Sequence, residues 1–253
     1  MMDKTILITG ATAGIGLASA ELFAKNNYRL IVCGRREERL ISFKEKYASN
    51  TNIEYLSFDV RNKDDVFEKI KSLPADFQNI DILINNAGNA HGLSPIQDGD
   101  IEDWEAMIDI NVKGLLYVSK AILPGMVKRK NGHVINIGSV AGKEVYAKGN
   151  VYCASKFAVD AISTGMRIDL NEYNIKVSEI KPGAVNTEFS TVRFKGDKEK
   201  ADKVYEGFKP LIAEDIAEII YFVATRPAHV NIADLLVFPT AQASASLINR
   251  SGN

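Results

Sequence analysis

Short apolar runs alternate with longer segments of helical periodicity along the whole chain. Several runs are apolar almost throughout, which is expected for strands covered on both faces of a sheet. Helical periodicity is clear at Gly16–Asn26, Val66–Leu73 and Asp103–Val127. The apolar runs predict seven strands: Lys4–Thr9, Arg29–Cys33, Ile53–Phe58, Ile80–Asn85, His133–Gly138, Lys176–Lys181 and Leu235–Phe238.

Strict alternation of strand and helix predicts a fold of the α/β class. Right-handed crossovers between successive strands then give a parallel, doubly wound, Rossmann-like sheet of about seven strands flanked by helices. No internal repeat or low-complexity linker divides the 253 residues. Because α/β chains of this length commonly stay undivided, we expect one domain over residues 1–253.

Composition narrows the classes of partner. The formal net charge is -1 and the sequence pI is about 6.3, so no basic excess favours nucleic acid. No run approaches the ~18 apolar residues of a membrane span, and the first residues lack the apolar core of a signal peptide. Cys33 and Cys153 form no disulfide framework. We therefore expect a cytoplasmic protein with neither a nucleic-acid nor a membrane partner. No His/Cys/Asp cluster in the sequence has the spacing of a metal site, so no bound metal is expected.

The glycine-rich stretch TGATAGIG, from Thr9 to Gly16, follows the first predicted strand and opens the first helix. Gly10, Gly14 and Gly16 allow a tight turn and a close backbone approach to a pyrophosphate at the helix N-terminus. Glycines also serve such turns for steric reasons alone. Their position after the first strand of an alternating sheet favours nucleotide binding.

The end of the second strand indicates which dinucleotide binds. An acidic residue at this point favours NAD, but Gly34 is followed by Arg35 and Arg36. Two guanidinium groups suit a 2′-phosphate and favour NADP. The alternative is a pair of solvated arginines that open a helix. Asp59, after the third strand, is a candidate for the adenine amino group or for capping a turn.

Candidate chemistry lies in the stretch from Ser139 to Lys156. Tyr152 and Lys156 are four residues apart in a predicted helix and share one face. A phenol with a pKa near 10 needs a shift of about two to three units, or roughly 3–4 kcal/mol, to act as a base near neutrality. An ammonium group about 5 Å away supplies ~3 kcal/mol at an effective dielectric constant near 20. Ser139 is suited to donate a hydrogen bond to a substrate oxygen that develops charge.

These motifs resemble, in order and spacing, the short-chain dehydrogenase/reductase family. The resemblance covers about residues 4 to 240 and rests on Thr9–Gly16, Asn85-Asn86-Ala87-Gly88, Asn111, Ser139, Tyr152-Cys153-Ala154-Ser155-Lys156 and Pro182-Gly183.

The resemblance implies a catalytic tetrad. Tyr152 would be the acid/base, Ser139 would polarise the carbonyl, Lys156 would lower the tyrosine pKa and bind the nicotinamide ribose, and Asn111 would hold a water of the proton relay. It also implies a homotetramer, formed through the helices that begin near Asp103 and Asn150. The expected cofactor contacts are Gly10, Thr12, Gly14, Ile15, Gly16, Arg35, Arg36, Asp59, Val60, Asn86, Ala87, Gly88, Tyr152, Lys156, Pro182, Gly183, Val185 and Thr187.

Within the family, three stretches look like the NADP-dependent 3-hydroxy acid dehydrogenases, which act on serine, allo-threonine and related small acids: Gly34–Leu40, Glu188–Asp197 and Pro227–Ser244. The alternatives are a carbonyl reductase for a larger ketone or acyl thioester, and a dinucleotide sensor without turnover. The intact Ser139, Tyr152 and Lys156 speak against a sensor.

A substrate carboxylate enclosed under a lid needs a cation, because an unpaired buried charge is costly. Residues 187–210 are the candidate lid, and they contain Arg193 and Lys195. Arg193 is the better candidate for the substrate, since its planar guanidinium can form two parallel hydrogen bonds. The alternative is that both cations face solvent.

Overall fold

The computed structural model describes residues 4–251, and its main feature is a parallel sheet of seven strands. Across the sheet the order is β3-β2-β1-β4-β5-β6-β9, and every neighbouring pair is parallel. Each predicted strand is confirmed to within one residue at either end. The strands are β1 (Thr5–Thr9), β2 (Arg29–Gly34), β3 (Ile53–Ser57), β4 (Ile80–Asn85), β5 (Gly132–Ile137), β6 (Ile175–Pro182) and β9 (Asp234–Val237).

Helices cover both faces of the sheet. They are α1 (Gly14–Lys25), α2 (Glu37–Tyr47), α3 (Lys63–Lys71), α4 (Ile101–Ile108), α5 (Leu115–Arg129), α6 (Asn150–Asp169), α7 (Glu188–Arg193), α8 (Lys198–Lys203) and α9 (Ala213–Ala224). Successive residues of the central strands enter opposite cores: Ile6 and Ile8 pack on the side of α1 and α9, and Leu7 packs on the side of α3 and α5. This two-sided burial explains why the central runs Ile6–Ile8, Leu30–Cys33 and Ile82–Ile84 are apolar throughout.

The predicted helix Asp103–Val127 is interrupted. α4 and α5 are joined by a π-helical turn, Asp109–Gly114, which contains Asn111. Such turns are rare and occur mostly at functional sites. Gly114 fits this turn because a Cβ there would press on the Val60 side chain.

The segment predicted as a lid, residues 187–210, contains the two short helices α7 and α8. Just outside its ends, β7 (Val185–Asn186) pairs with β8 (Leu211–Ile212) in parallel. This two-residue ladder fixes both ends of the segment beside the carboxyl end of β6. No helix within residues 4–251 has the length and apolar character to cross a membrane.

The strand order reverses between β1 and β4, so their carboxyl ends diverge into a crevice. Thr9 and Asn86 join the two ends. The Thr9 hydroxyl accepts hydrogen bonds from the N–H groups of Asn86 and Ala87, both at 3.0 Å. In return the Asn86 amide donates to the carbonyls of Thr9 at 2.9 Å and Gly10 at 3.3 Å.

Gly16 sits against this junction, and the substitution Gly16→Ala should destabilise the fold. An added Cβ would collide with the Gly10 carbonyl oxygen and with Asn86 Nδ2. Overpacking of this kind costs about 1–3 kcal/mol, to be measured by urea unfolding. The matched control is Gly165→Ala in α6, where a Cβ meets no atom within 4 Å. Because alanine favours helix over glycine by up to ~1 kcal/mol, the control should be neutral or stabilising. Equal effects of the two variants would contradict the close approach at Gly16.

Candidate active site

A cleft of about 760 Å³ opens at the carboxyl ends of the strands, and it contains most of the residues expected at the site. Gly16 and Asn111 do not line it: Gly16 lies behind the first turn, and Asn111 is 2% exposed behind Gly88. The expected residues that do line it are Gly10, Thr12, Gly14, Ile15, Arg35, Arg36, Asp59, Val60, Asn86, Ala87, Gly88, Ser139, Tyr152, Lys156, Pro182, Gly183, Val185, Thr187 and Arg193.

The first turn presents an open helix N-terminus to the cleft. Gly10 and Gly14 have φ values of +67° and +51°, a region that favours glycine. α1 begins at Gly14, and the residue before it, Ala13, makes no side-chain capping bond. The first N–H groups of α1 therefore remain for an anion, which the helix dipole also attracts. This arrangement fits a pyrophosphate.

Arg35 and Arg36 have different surroundings. The Arg35 side chain is 63% exposed and its nearest carboxylate is Asp59, at 3.9 Å. Arg36 is held on two sides: its Nε and Nη2 donate to Thr12 Oγ1 at 3.2 and 3.1 Å, and its Nη1 pairs with Glu188 at 2.8 Å. Arg35 is thus the guanidinium that the fold leaves available at the rim of the cleft.

Two further residues of the rim, Arg39 and Glu188, were not anticipated as site residues from the sequence. Arg39 pairs with Glu188 at 3.0 Å and also donates to the Thr12 carbonyl at 3.1 Å. Asp59, the candidate for the adenine, is bound through both oxygens by Arg61 and also accepts from the Arg61 backbone N–H. The turn-capping alternative for Asp59 is therefore realised, although its side chain still borders the cleft.

Ser139, Tyr152 and Lys156 converge at the carboxyl end of β5. Ser139 Oγ accepts from Ala141 N–H at 3.1 Å and donates to the Pro182 carbonyl at 3.5 Å. Tyr152 lies in the first turn of α6 and is 8% exposed. One turn later, the Lys156 amine donates to the Ile137 carbonyl at 2.9 Å. The three side chains border the same cleft.

Burial governs the proton affinity of both groups. It raises the pKa of Tyr152 above its ordinary value, while the Ser139 hydroxyl and the Arg193 guanidinium act in the opposite direction. It lowers the pKa of Lys156 to about 8, and the Glu179 carboxylate opposes this. The expected lowering of the tyrosine pKa by Lys156 stays a prediction: the amine donates to a β5 carbonyl, and burial is the largest influence on the pKa of the phenol.

Asn111 is fixed by the π-helical turn. Its amide nitrogen donates to the Asn89 carbonyl at 2.8 Å and to Ser155 Oγ at 2.9 Å, and its Oδ1 accepts from Asn89 N–H at 2.9 Å. A Cβ on Gly88 would lie 3.0 Å from Asn111 Oδ1 and 3.6 Å from Lys156 Nζ. Asn111 therefore shapes the wall next to Lys156, whereas its expected contact with a relay water remains a prediction.

The two candidate lid cations also differ. Lys195 pairs with Asp103 at 2.9 Å and Asp100 at 3.2 Å. Arg193 has no carboxylate within 4 Å among the described residues; its Nε donates to the Gly92 carbonyl at 3.1 Å. Its guanidinium lies 5.5 Å from the ring centre of Tyr146 and 5.6 Å from that of Tyr152. Tyr146 was not predicted as a site residue. The one signal for it in the sequence is its position between Ser139 and Tyr152.

Residues 4–251 contain no group of three His, Cys, Asp or Glu side chains suited to a metal ion. A doubly wound sheet with its cleft at the reversal of strand order is the architecture of dinucleotide-binding proteins. The tyrosine and lysine beside that cleft add groups that can move a proton.

Comparison with known proteins defines the family. A model of the short chain dehydrogenase family matches residues 4–198, which is most of the chain. The chain belongs to the short chain dehydrogenase family, as its motifs predicted.

Individual relatives match along almost the whole chain. The NADP-dependent 3-hydroxy acid dehydrogenase YdfG of Salmonella typhi is 50% identical over 248 residues, which are 97% of this chain and 99% of the relative. Sulfoacetaldehyde reductase 2 of Chromohalobacter salexigens is 43% identical over 251 residues, covering 98% of this chain and all of the relative. The closed form of a serine dehydrogenase complexed with NADP+ has a TM-score of 0.92 at 48% identity, over 96% of this chain and 98% of that one.

Proposed function

We propose that this protein is an NADP-dependent oxidoreductase that transfers a hydride between the nicotinamide and a small 3-hydroxy acid. Serine and allo-threonine are the type of substrate, and the corresponding 3-oxo acid or semialdehyde is the product. The family, the NADP-dependent relatives and the structure of a serine dehydrogenase with NADP+ support this function. The single observation that carries the choice of substrate is the guanidinium of Arg193, which lies beside the Tyr152 ring and has no carboxylate partner within residues 4–251.

The residues present fit the cofactor. The uncapped start of α1 suits the pyrophosphate, and the exposed Arg35 suits a 2′-phosphate. Gly88 leaves space next to Lys156, whose ammonium would hold the ribose hydroxyls of the cofactor. The nicotinamide, when bound, accepts or supplies the hydride.

The side chains handle the proton and the developing charge. In oxidation of the alcohol, the phenolate of Tyr152 takes the hydroxyl proton of the substrate; in reduction of the carbonyl, the neutral phenol donates its proton to the substrate oxygen and becomes the phenolate. Ser139 donates to the same substrate oxygen and stabilises its partial charge. Because burial favours the neutral phenol, oxidation depends on the positive charges near Tyr152, while reduction is served by the protonated form.

The anion site follows from the contrast between the two lid cations. The charge of Lys195 is already balanced by two aspartates, so a second anion would gain little from it. Within residues 4–251 Arg193 has no such partner, and its guanidinium lies 5.5 Å from the ring centre of Tyr146 and 5.6 Å from that of Tyr152. Hydroxy acids carry a carboxylate and sulfoacetaldehyde carries a sulfonate, so the named substrates of both relatives share an anionic group.

We also propose a cytoplasmic homotetramer. The family resemblance supports it, and so do large apolar side chains left exposed on two sides of the subunit. On α5 and α6 these are Leu116, Phe157 and Ile168; on α9 and β9 they are Phe222 and Leu236.

The substitution Tyr152→Phe tests the proton-transfer role. Only the hydroxyl is lost, so turnover should fall by about 10²–10⁴-fold, while NADP binding, measured by titration calorimetry, should stay near the wild-type value. Lys156→Ala is the contrasting variant and should impair both turnover and NADP affinity. Substantial residual turnover in the phenylalanine variant would be incompatible with Tyr152 as the acid/base.

The substitution Arg35→Ala tests the choice of cofactor. A charge-assisted contact is worth about 1.5–3 kcal/mol, so NADP affinity should fall roughly ten- to hundred-fold and NAD affinity should hardly change. Arg36→Ala is the control: because Arg36 ties Thr12 to Glu188, its loss should weaken both cofactors. If Arg35→Ala weakened NAD and NADP equally, Arg35 would not bind the 2′-phosphate.

The substitution Arg193→Met tests the anion site. For a 3-hydroxy acid, kcat/KM should fall at least ten-fold, about 1.4 kcal/mol or more, whereas a neutral alcohol of similar size should be little affected. Lys195→Met is the matched control on the same lid and should leave the acid-to-alcohol preference unchanged. Similar losses for acid and alcohol in Arg193→Met would assign Arg193 to lid structure and favour a larger, uncharged carbonyl substrate.

A further inference from the structure

The face of β6 that packs under α6 carries two buried charges. Glu179 and Lys181 are two residues apart, so their side chains share one face of the sheet, and they are 2% and 1% exposed. Across from them, Lys156 and Asp160 lie one turn apart in α6. Lys181 Nζ is 3.0 Å from Glu179 Oε2 and 3.0 Å from Asp160 Oδ1.

These residues belong to a larger charge cluster that runs from the surface to the active site. At its outer end, Asp234 of β9 pairs with Lys181 at 2.5 Å and with Lys143 at 3.3 Å. At its inner end is the catalytic lysine. The cluster comprises three lysines and three carboxylates: Lys143, Lys156, Lys181, Asp160, Glu179 and Asp234. Their formal charges balance only when Lys156 is included.

Lys156 is the member without a direct ion pair. Within residues 4–251 no carboxylate lies within 4 Å of its amine, which donates to the Ile137 carbonyl. Glu179 lies against the residue that follows Ile137: a Cβ on Gly138 would collide with Glu179 Oε1. That oxygen is buried and makes no hydrogen bond with any described residue. One oxygen of Glu179 thus pairs with Lys181, and the other lies against the peptide that holds Lys156.

A purely structural ion pair does not account for Glu179. Lys181 already has Asp160 and Asp234, so a third carboxylate is not needed to balance it. Burying that third carboxylate is unfavourable, and it raises the pKa of Glu179 to about 7 even though Lys181 lies beside it. The buried Lys156 is the remaining positive charge that a carboxylate at this position can stabilise.

We propose that Glu179 is a positioning residue for the reaction: anchored by Lys181, its carboxylate keeps the positive charge on Lys156. The proposal deepens the proposed function, on which it depends only for the catalytic role of Lys156. In agreement with it, Glu179 opposes the lowering of the Lys156 pKa by burial. The charged and titratable groups that surround Lys156 on the packed elements are Tyr152, Asp160, Glu179, Lys181, Lys143 and Asp234.

The test is to titrate the Lys156 amine itself. The full chain, without added NADP, is labelled with trace acetic anhydride from pH 6 to 10, and acetylation of Lys156 is followed by mass spectrometry. The variant Glu179→Gln removes the charge and keeps the shape. Asp234→Asn is the matched control, because it removes a carboxylate from the same Lys181 at the outer end of the cluster.

In Glu179→Gln the midpoint for Lys156 should lie below the value of about 8 in the wild type. At pH 7 the amine should react about two- to three-fold faster than in Asp234→Asn, because a drop of half a pKa unit from about 8 raises the neutral fraction of the amine from about a tenth to about a quarter. Glu179→Asp keeps the charge and should restore most of the wild-type behaviour. Equal Lys156 midpoints in Glu179→Gln and Asp234→Asn would overturn the proposal.

Two further controls separate the possible failures. Thermal unfolding checks that each variant is folded; if Glu179→Gln is not, Glu179→Asn takes its place, with Glu179→Asp as its charged match. Turnover of a 3-hydroxy acid with NADP+ is then measured over the same pH range. A shifted Lys156 midpoint with an unchanged pH profile of turnover supports the role of Glu179 and contradicts the catalytic role of Lys156.

Discussion

One threonine hydroxyl joins the two strand ends between which the cofactor cleft opens. The Thr9 hydroxyl accepts hydrogen bonds from the N–H groups of Asn86 and Ala87, which lie 77 and 78 residues further along the chain. The side-chain amide of Asn86 donates hydrogen bonds to the Thr9 and Gly10 carbonyls and thereby fixes the first turn against β4. The open start of α1 on one side, and Gly88 beside Lys156 on the other, both take their positions from this junction.

Most of the sheet could be predicted from the sequence because its strands are buried on both faces, and several of them are therefore apolar almost throughout. The glycine turn and the Tyr152–Lys156 spacing are local patterns. Once the fold class is known, the first predicts a turn that binds a nucleotide and the second predicts two side chains on one face of a helix. Asn111 was different. Nothing in its neighbourhood marks it chemically, and only the resemblance to a family singled it out; its buried bonds to Asn89 and Ser155 exist only after three distant segments have packed.

What the sequence could not provide are interactions among residues far apart in the chain. Glu188 meets Arg36 and Arg39 across about 150 residues, and the cluster around Lys181 draws on four separate segments. The degree to which a particular side chain is buried also cannot be obtained from the pattern of apolar and polar residues. Coulomb's law applied to Tyr152 and Lys156 alone predicts a lowered tyrosine pKa, but it omits the burial of the ring, which acts in the opposite direction.

The π-helical turn at Asp109–Gly114 has a geometric consequence for the whole helical segment between Ile101 and Arg129. A π turn holds about one more residue than the α-helical turn it replaces, so the helical phase before and after it differs by about 100°. This offset lets Met107 face Tyr152 and Cys153 while Val118 and Ile122 face the central sheet. Deleting one residue from this turn would therefore rotate the helix on one side of it by about 100° relative to the other. Such a chain could keep the apolar contacts of Met107 or those of Val118 and Ile122, but not both.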